Sequence, residues 1–219
     1  MSARTLSHYE IVSQLPVATV ITFHNVSWRE YERLLDQVGE ASGLRLSYNN
    51  GRLQVMTLSS EHENYVRFIE SLMTTIKLRL RINIRSFGSA TMKQRKQSKG
   101  KEPDACFYVQ SAEKIGLRTR LDFTKDPPPD IAVEVDIHHD SQADFPIYAA
   151  LGVPEVWRYD GEGLIIHCLQ SGNYVPSDTS PALPFLTAAR LTDHLRRLST
   201  EGEFQALVTF DQWLQTQQA

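Results

Sequence analysis

Asp130-Ile131-Ala132-Val133-Glu134-Val135-Asp136 is an apolar run with one carboxylate set inside it. Its length and β-branched content predict a strand in the interior of a sheet. A buried carboxylate is costly unless something pairs with it, so Glu134 calls for a partner. Thirty residues earlier, Pro103-Asp104 opens a second apolar run, Pro103 to Val109. If the two runs are neighbouring strands, Asp104 and Glu134 converge. Two hard oxygen ligands at one place suit a divalent cation such as Mg2+. On the plainer reading, Asp104 is a turn or strand-start residue behind its proline, and Asp136 faces solvent.

Working outward, Asn83 to Phe87 is a further strand candidate, and Ser59 and Ser60 are candidate caps for a long helix from Glu61 to Leu80. Tyr65, Val66, Ile69, Leu72, Met73, Ile76 and Leu80 mark the apolar face of that helix. Downstream come a short helix, Ser141 to Leu151, closed by Gly152, and two strands, Pro154 to Tyr159 and Gly163 to Leu169. Helix, strand, strand, strand, helix, strand is thus the central order, and it predicts an α/β (α+β) core around a mixed sheet. The segment Pro16 to Glu40 holds the apolar run Val17 to Phe23. It then holds a Ser27/Glu30 capping box before Tyr31, Leu34, Leu35 and Val38 at helical spacing. Leu44 to Tyr48 and Leu53 to Met56 alternate around Asn49-Asn50-Gly51, a hairpin signature. Amphipathic helices are expected over Leu186 to Leu198 and Glu203 to Leu214. The chain therefore divides, as one domain, into an N-terminal helix and hairpin addition (1–57), a core (58–170) and a C-terminal helical tail (171–219). Lys93 to Glu102 reads as a basic loop. Gln110 to Pro129 reads as a polar excursion whose closing prolines deliver the chain in extended form.

The 219 residues, 41% of them hydrophobic, suffice for a full core without a disulfide or metal staple. The two cysteines, Cys106 and Cys168, sit in apolar runs, so a reducing cytoplasm is the expected compartment. Met1 to His8 carries no apolar leader segment. No apolar stretch approaches the roughly 18 residues of a membrane span. The net charge of -3 conceals a division. Ser71 to Lys101 has nine basic residues and no acidic one, whereas Asp126 to Trp157 has seven acidic residues and no Lys or Arg. A basic block suits phosphates and an acidic block suits a metal; two solvated faces would show the same pattern.

Four segments together resemble the PD-(D/E)XK nuclease superfamily, and more closely its large bacterial family of restriction-endonuclease-like proteins. They are Ser60-Glu61-His62-Glu63, Glu102-Pro103-Asp104, Pro129 to Val135, and Tyr148-Ala149-Ala150-Leu151-Gly152-Val153-Pro154-Glu155-Val156-Trp157. The resemblance spans Leu58 to Asp160. It implies a restriction-endonuclease-like core and a Mg2+-dependent endonuclease (Mn2+ as the alternative ion) acting on DNA, with Asp104 and Glu134 as metal ligands. A homodimer would let both strands be cut. The lysine of the superfamily motif falls on Asp136. Its alternative place on the following helix, four residues before Tyr148, falls on Asp144, so both are acidic. Asp136 is read as a second-metal ligand or a residue that orients water. Arg95, Lys99 and Lys101 are candidates to replace the cation. His62, at the first turn of the long helix, is a catalytic candidate or a core histidine. Lys93, Arg95, Lys96, Lys99 and Lys101 form the expected nucleic-acid contact. Adjacent His138 and His139 point to opposite sides of an extended chain, so both are read as solvated; Tyr148 and Trp157 are read as packing. The competing reading is a nucleic-acid-binding or interaction module that keeps the fold without the chemistry.

Overall fold

The computed structural model describes residues 6–39 and 43–217; Glu40, and residues 1–5 of the segment read for a leader, lie outside them. A short helix α1 (His8–Val12), not expected from the sequence, precedes strand β1 (Val20–Phe23) and helix α2 (Trp28–Val38). The Ser27/Glu30 capping box forms in full and fixes where α2 starts. Strands β2 (Leu44–Asn49) and β3 (Arg52–Thr57) make the expected hairpin. Asn50 and Gly51 turn it with φ of 48° and 89°, the two left-handed residues that a tight two-residue turn needs. Helix α3 (Ser60–Leu80) starts at Ser59, whose hydroxyl accepts from the His62 N–H at 3.1 Å.

Beyond α3 the strand Asn83–Phe87 shrinks to β4 (Arg85–Ser86). The basic loop is not a loop. Met92–Gln94 (β5) and Lys99–Lys101 (β6) pair antiparallel around a 3-10 turn, Arg95–Gln97, and β6 then pairs with β2. This hairpin completes a five-stranded sheet in the order β1-β3-β2-β6-β5. It lacks the usual apolar alternation because Lys99 and Lys101 lie on its polar face. Gly100 backs onto Tyr31, whose ring occupies the place a Cβ would take.

The second sheet holds the core. It is built from β4, β7 (Ala105–Tyr108), β8 (Ile131–Val135), β9 (Glu155–Tyr159), β10 (Leu164–Gln170) and β11 (Asn173–Ser177), in the order β11-β10-β9-β8-β7-β4. Between β7 and β8 lies a one-turn helix, α4 (Ala112–Ile115); β8 and β9 run parallel, joined through α5 (Phe145–Leu151), and the other pairs are antiparallel. That makes the mixed sheet the element order predicts. A 3-10 turn, Ser141–Asp144, takes the first part of the helix expected from Ser141. Strand β11, not expected from the sequence, contains Pro176 and stands at the edge, where a missing N–H is tolerated. Helices α6 (Ala188–Glu201) and α7 (Glu203–Gln215) close the chain.

Alternation along β8 decides what faces what. Ile131, Val133 and Val135 join α3, α6 and α7 in the main core, with Ile69, Leu72, Leu195 and Phe210. Ala132 packs the other way, with Ile147 and Tyr148 of α5 and Met92 of β5. Glu134 shares that second face and meets Tyr148 there. Strand β6 comes in beside α5, so the site forms where the first sheet meets the second. No helix among the described residues is long and apolar enough to cross a membrane.

Candidate active site

Asp104 stands at the head of β7 and is 2% exposed. Its Oδ2 accepts the Val135 N–H at 2.9 Å and lies 3.0 Å from His62 Nε2; Oδ1 lies 3.2 Å from Arg45 Nε. Burial opposes its charge, but His62, Arg45 and the Val135 N–H outweigh burial and hold the carboxyl below its ordinary value. Asp104 is therefore an anion fixed in orientation. His62 is buried at the first turn of α3 and touches it directly.

Glu134 is 1% exposed. Its Oε1 accepts from the Tyr148 hydroxyl and lies 3.1 Å from Lys101 Nζ. Burial, reinforced by the Asp104 and Asp136 charges, outweighs these partners and pushes its pKa up to about 8. Lys101 reaches the site from β6, 4% exposed, and its Nζ also lies 3.0 Å from Asp144 Oδ2. Burial opposes the ammonium charge, yet Glu134, Asp144 and Asp104 keep Lys101 above its usual pKa. Asp144 in turn accepts from Ser47 Oγ at 2.7 Å. Despite burial, Lys101 and Ser47 hold it ionised below the ordinary carboxylate value.

Asp136 follows β8. Its Oδ2 accepts from the Ser141 N–H and hydroxyl, both at 2.9 Å, and from Arg158 Nε. His139 Nε2 lies 3.3 Å from Oδ1, and burial lowers the pKa of that imidazole. His139 is thus drawn into the site and not solvated. His138 Nε2 lies 4.0 Å from Glu61 Oε2 instead.

These residues fit a divalent cation. Asp104 Oδ1 and Asp136 Oδ1 are buried with no aligned hydrogen-bond donor, and His139 Nδ1 is buried without a partner. Ligand atoms of Glu134, Asp136 and His139 all lie within 4.8 Å of one another. Asp104, expected with Glu134 as a ligand, stands beside this set and not within it. Hard carboxylate oxygens around buried, undonated positions are what a divalent metal seeks.

Several participants went unread in the sequence. Arg45 and Ser47 share one face of β2 by simple alternation, so the N-terminal hairpin contributes side chains and is more than an addition. Arg158 is the register partner of Glu134 on the parallel strand β9; the strand–helix–strand order held that signal. Tyr148 is more than packing, since it donates to Glu134. Glu155 and Trp157, by contrast, are structural. Glu155 accepts from Trp157 Nε1 at 3.1 Å, Ser180 Oγ at 2.8 Å and the Ala182 N–H at 2.6 Å, tying the chain after β11 to β9. Of the basic set, Arg95 and Lys96 are exposed at the hairpin turn. Lys93 lies 3.4 Å from Glu32, Lys99 donates to Asn49, and Lys101 is buried in the site and not on the exposed turn.

Among solved structures, one described as "a putative nuclease belonging to DUF820 from Anabaena variabilis ATCC 29413" superposes with a TM-score of 0.52 at 13% identity, covering 74% of this chain and 97% of that one. That likeness concerns the fold, and with the mixed sheet it assigns the chain a nuclease-like α/β architecture. No curated protein matches the chain. The family model "Uma2: Putative restriction endonuclease" matches residues 28–200, which takes in α2, both sheets except strand β1, and most of α6. The chain belongs to the Uma2 family.

Proposed function

We propose that this protein is a metal-dependent DNA endonuclease that hydrolyses phosphodiester bonds. The observation that carries this reading is Lys101, whose ammonium lies between Glu134 and Asp144 although both expected lysine positions are acidic. A fixed cation thereby pairs with Glu134 in a site where Asp104 and Asp136 each keep one buried oxygen without an aligned donor.

Glu134 and Asp136 would hold Mg2+ or Mn2+, with Asp104 beside them. Such an ion supplies a Lewis acid toward a phosphoryl oxygen and acidifies water. The chain's own residues do the rest. His62, Arg45 and the Val135 N–H orient Asp104. Tyr148 and Lys101 fix Oε1 of Glu134, and Lys101 Nζ offers a positive charge where negative charge develops on phosphate. Arg158 and Ser141 hold Asp136 by Oδ2, which leaves Oδ1 turned toward His139. Arg95 and Lys96, exposed at the hairpin turn, suit the phosphate backbone. A homodimer and a cytoplasmic location belong to the same reading.

A second reading, a binding or interaction module on the same fold, draws on one specific observation. Each of the three carboxylates has a protein cation: Arg45 for Asp104, Lys101 for Glu134 and Arg158 for Asp136. Calorimetric titration of Mg2+ and Mn2+ into the wild type and Glu134→Gln separates the two. Binding that the substitution removes supports the endonuclease; no heat in either protein favours the module.

A further inference from the structure

The geometry points to His139 as a nitrogen ligand of the metal centre, which makes the site a mixed imidazole–carboxylate one that prefers a first-row transition cation over Mg2+. This rests on the metal-dependent reading and names its cofactor class.

Three observations carry it. The ligand atoms of His139, Asp136 and Glu134 lie mutually within 4.8 Å. The pair His139 Nε2 and Asp136 Oδ1 stands 3.3 Å apart. Two adjacent ligands of an octahedral ion with bonds of about 2.1 Å stand about 3.0 Å apart, so the pair already sits near the edge length that an ion needs. Lastly, the His139 side chain is 10% exposed, and Asp136 Oδ1, which its Nε2 faces, is buried without an aligned hydrogen-bond donor. Asp136 cannot swing away to use Oδ1 elsewhere, because Ser141 and Arg158 pin Oδ2. The other histidine of the site is differently placed. His62 Nε2 faces Oδ2 of Asp104, the oxygen already accepting from Val135.

Chemistry then sets the preference. An all-oxygen site suits Mg2+, which holds its water and asks for hard ligands. An imidazole nitrogen adds little for Mg2+ but strengthens binding of borderline transition cations, in the order that rises from Mn2+ toward Cu2+. His139 follows β8 on the turn before Ser141, so the same loop that pins Asp136 supplies the nitrogen.

The test is pulsed electron paramagnetic resonance of Mn2+ bound to the full chain, without any assay of cleavage. Nitrogen-14 modulation of the Mn2+ spin echo is expected in the wild type and absent in His139→Gln. The same substitution should weaken Mn2+ about tenfold in a competition titration and leave Mg2+ nearly unchanged. Mn2+ bound without nitrogen modulation in the wild type would overturn the inference and leave the carboxylate metal site standing. Modulation that persists in His139→Gln would also overturn it, and would assign the nitrogen to His62. No Mn2+ binding at all would remove both this inference and the metal-dependent reading.

Discussion

Lys101 Nζ, on strand β6, lies 3.0 Å from Asp144 Oδ2, on the turn that leads into α5. The resemblance places a basic residue at the Asp144 position and finds an acid there. The missing positive charge arrives instead from a hairpin of the other sheet, forty-three residues earlier in the chain. Glu134 receives the same cation from a different direction. The acidic residue on the turn then has a task of its own, since with Ser47 it holds the lysine in place.

Removing Lys101 leaves the buried, ionised Asp144 without its cation, beside Glu134, whose carboxyl keeps its proton. Breaking a buried pair from one side costs about 3–5 kcal/mol, and Lys101→Met should lose that much in urea denaturation. Adding Asp144→Leu removes that uncompensated charge, so the double variant should be more stable than Lys101→Met alone. Strict additivity of the two losses would show that the residues do not act as a pair.

Glu134 titrates with a sign opposite to that of the ordinary salt-bridged carboxylate. Its folded pKa of about 8 stands above the unfolded value of 4.5. Between those pH values the folded chain keeps a proton that the unfolded chain releases, so metal-free stability falls as pH rises from about 4.5 to 8. Asp104, whose shift is downward, acts only at lower pH. Because other groups also titrate there, the comparison is between proteins: relative to Glu134→Gln, the wild-type melting temperature in EDTA should fall as pH rises across that window. A difference between the two proteins that does not change with pH would contradict this account of Glu134.

Gly100 lets β6 lie against Tyr31, whose ring stacks on Tyr48 at 4.7 Å. A Cβ at this position would overlap the Tyr31 ring, and overpacking of this kind costs about 1–3 kcal/mol. Gly100→Ala should therefore destabilise the protein, and the double variant with Tyr31→Ala should lose less than the sum of the two single losses. An unchanged denaturation midpoint in Gly100→Ala would mean that the sheet is looser than described.

Arg95 and Lys96 are the exposed charges of the hairpin turn. Each phosphate contact contributes about -0.9 to the log–log salt slope of duplex binding, so changing both to Ala should lower the slope by about two. Fluorescence anisotropy across a salt series reads this directly. A slope that does not move removes the turn from the DNA-facing surface.

Signals that are local in the chain were legible. The capping box of α2, the Asn50-Gly51 turn and the face of α3 are short-range patterns that tertiary contacts had no reason to override. The β5–β6 hairpin was hidden because its alternation is read in apolar residues, and one face of β6 is lysine. Asp104 and Glu134 could be singled out because a carboxylate at the head of or inside an apolar run is conspicuous. Their partners could not. Ser47 and Asp144 are ninety-seven residues apart, and no pattern of spacing announces that β2 and the turn before α5 share a pocket. His139 shows the limit most plainly. Residues 137–139 form a bend beyond β8, so strand alternation does not tell which of the two histidines reaches the site.

The central claim is cleavage that depends on metal and on Glu134. The direct measurement is conversion of supercoiled plasmid to nicked and linear forms, and of single-stranded and branched DNA to fragments, with Mn2+ or Mg2+. Wild type and Glu134→Gln are compared at equal concentration. The account predicts cleavage by the wild type that EDTA abolishes, and a folded Glu134→Gln at least a hundredfold slower, about the loss of one key electrostatic group. Equal cleavage by the two proteins, or none by the wild type on any of these substrates with either ion, would contradict it.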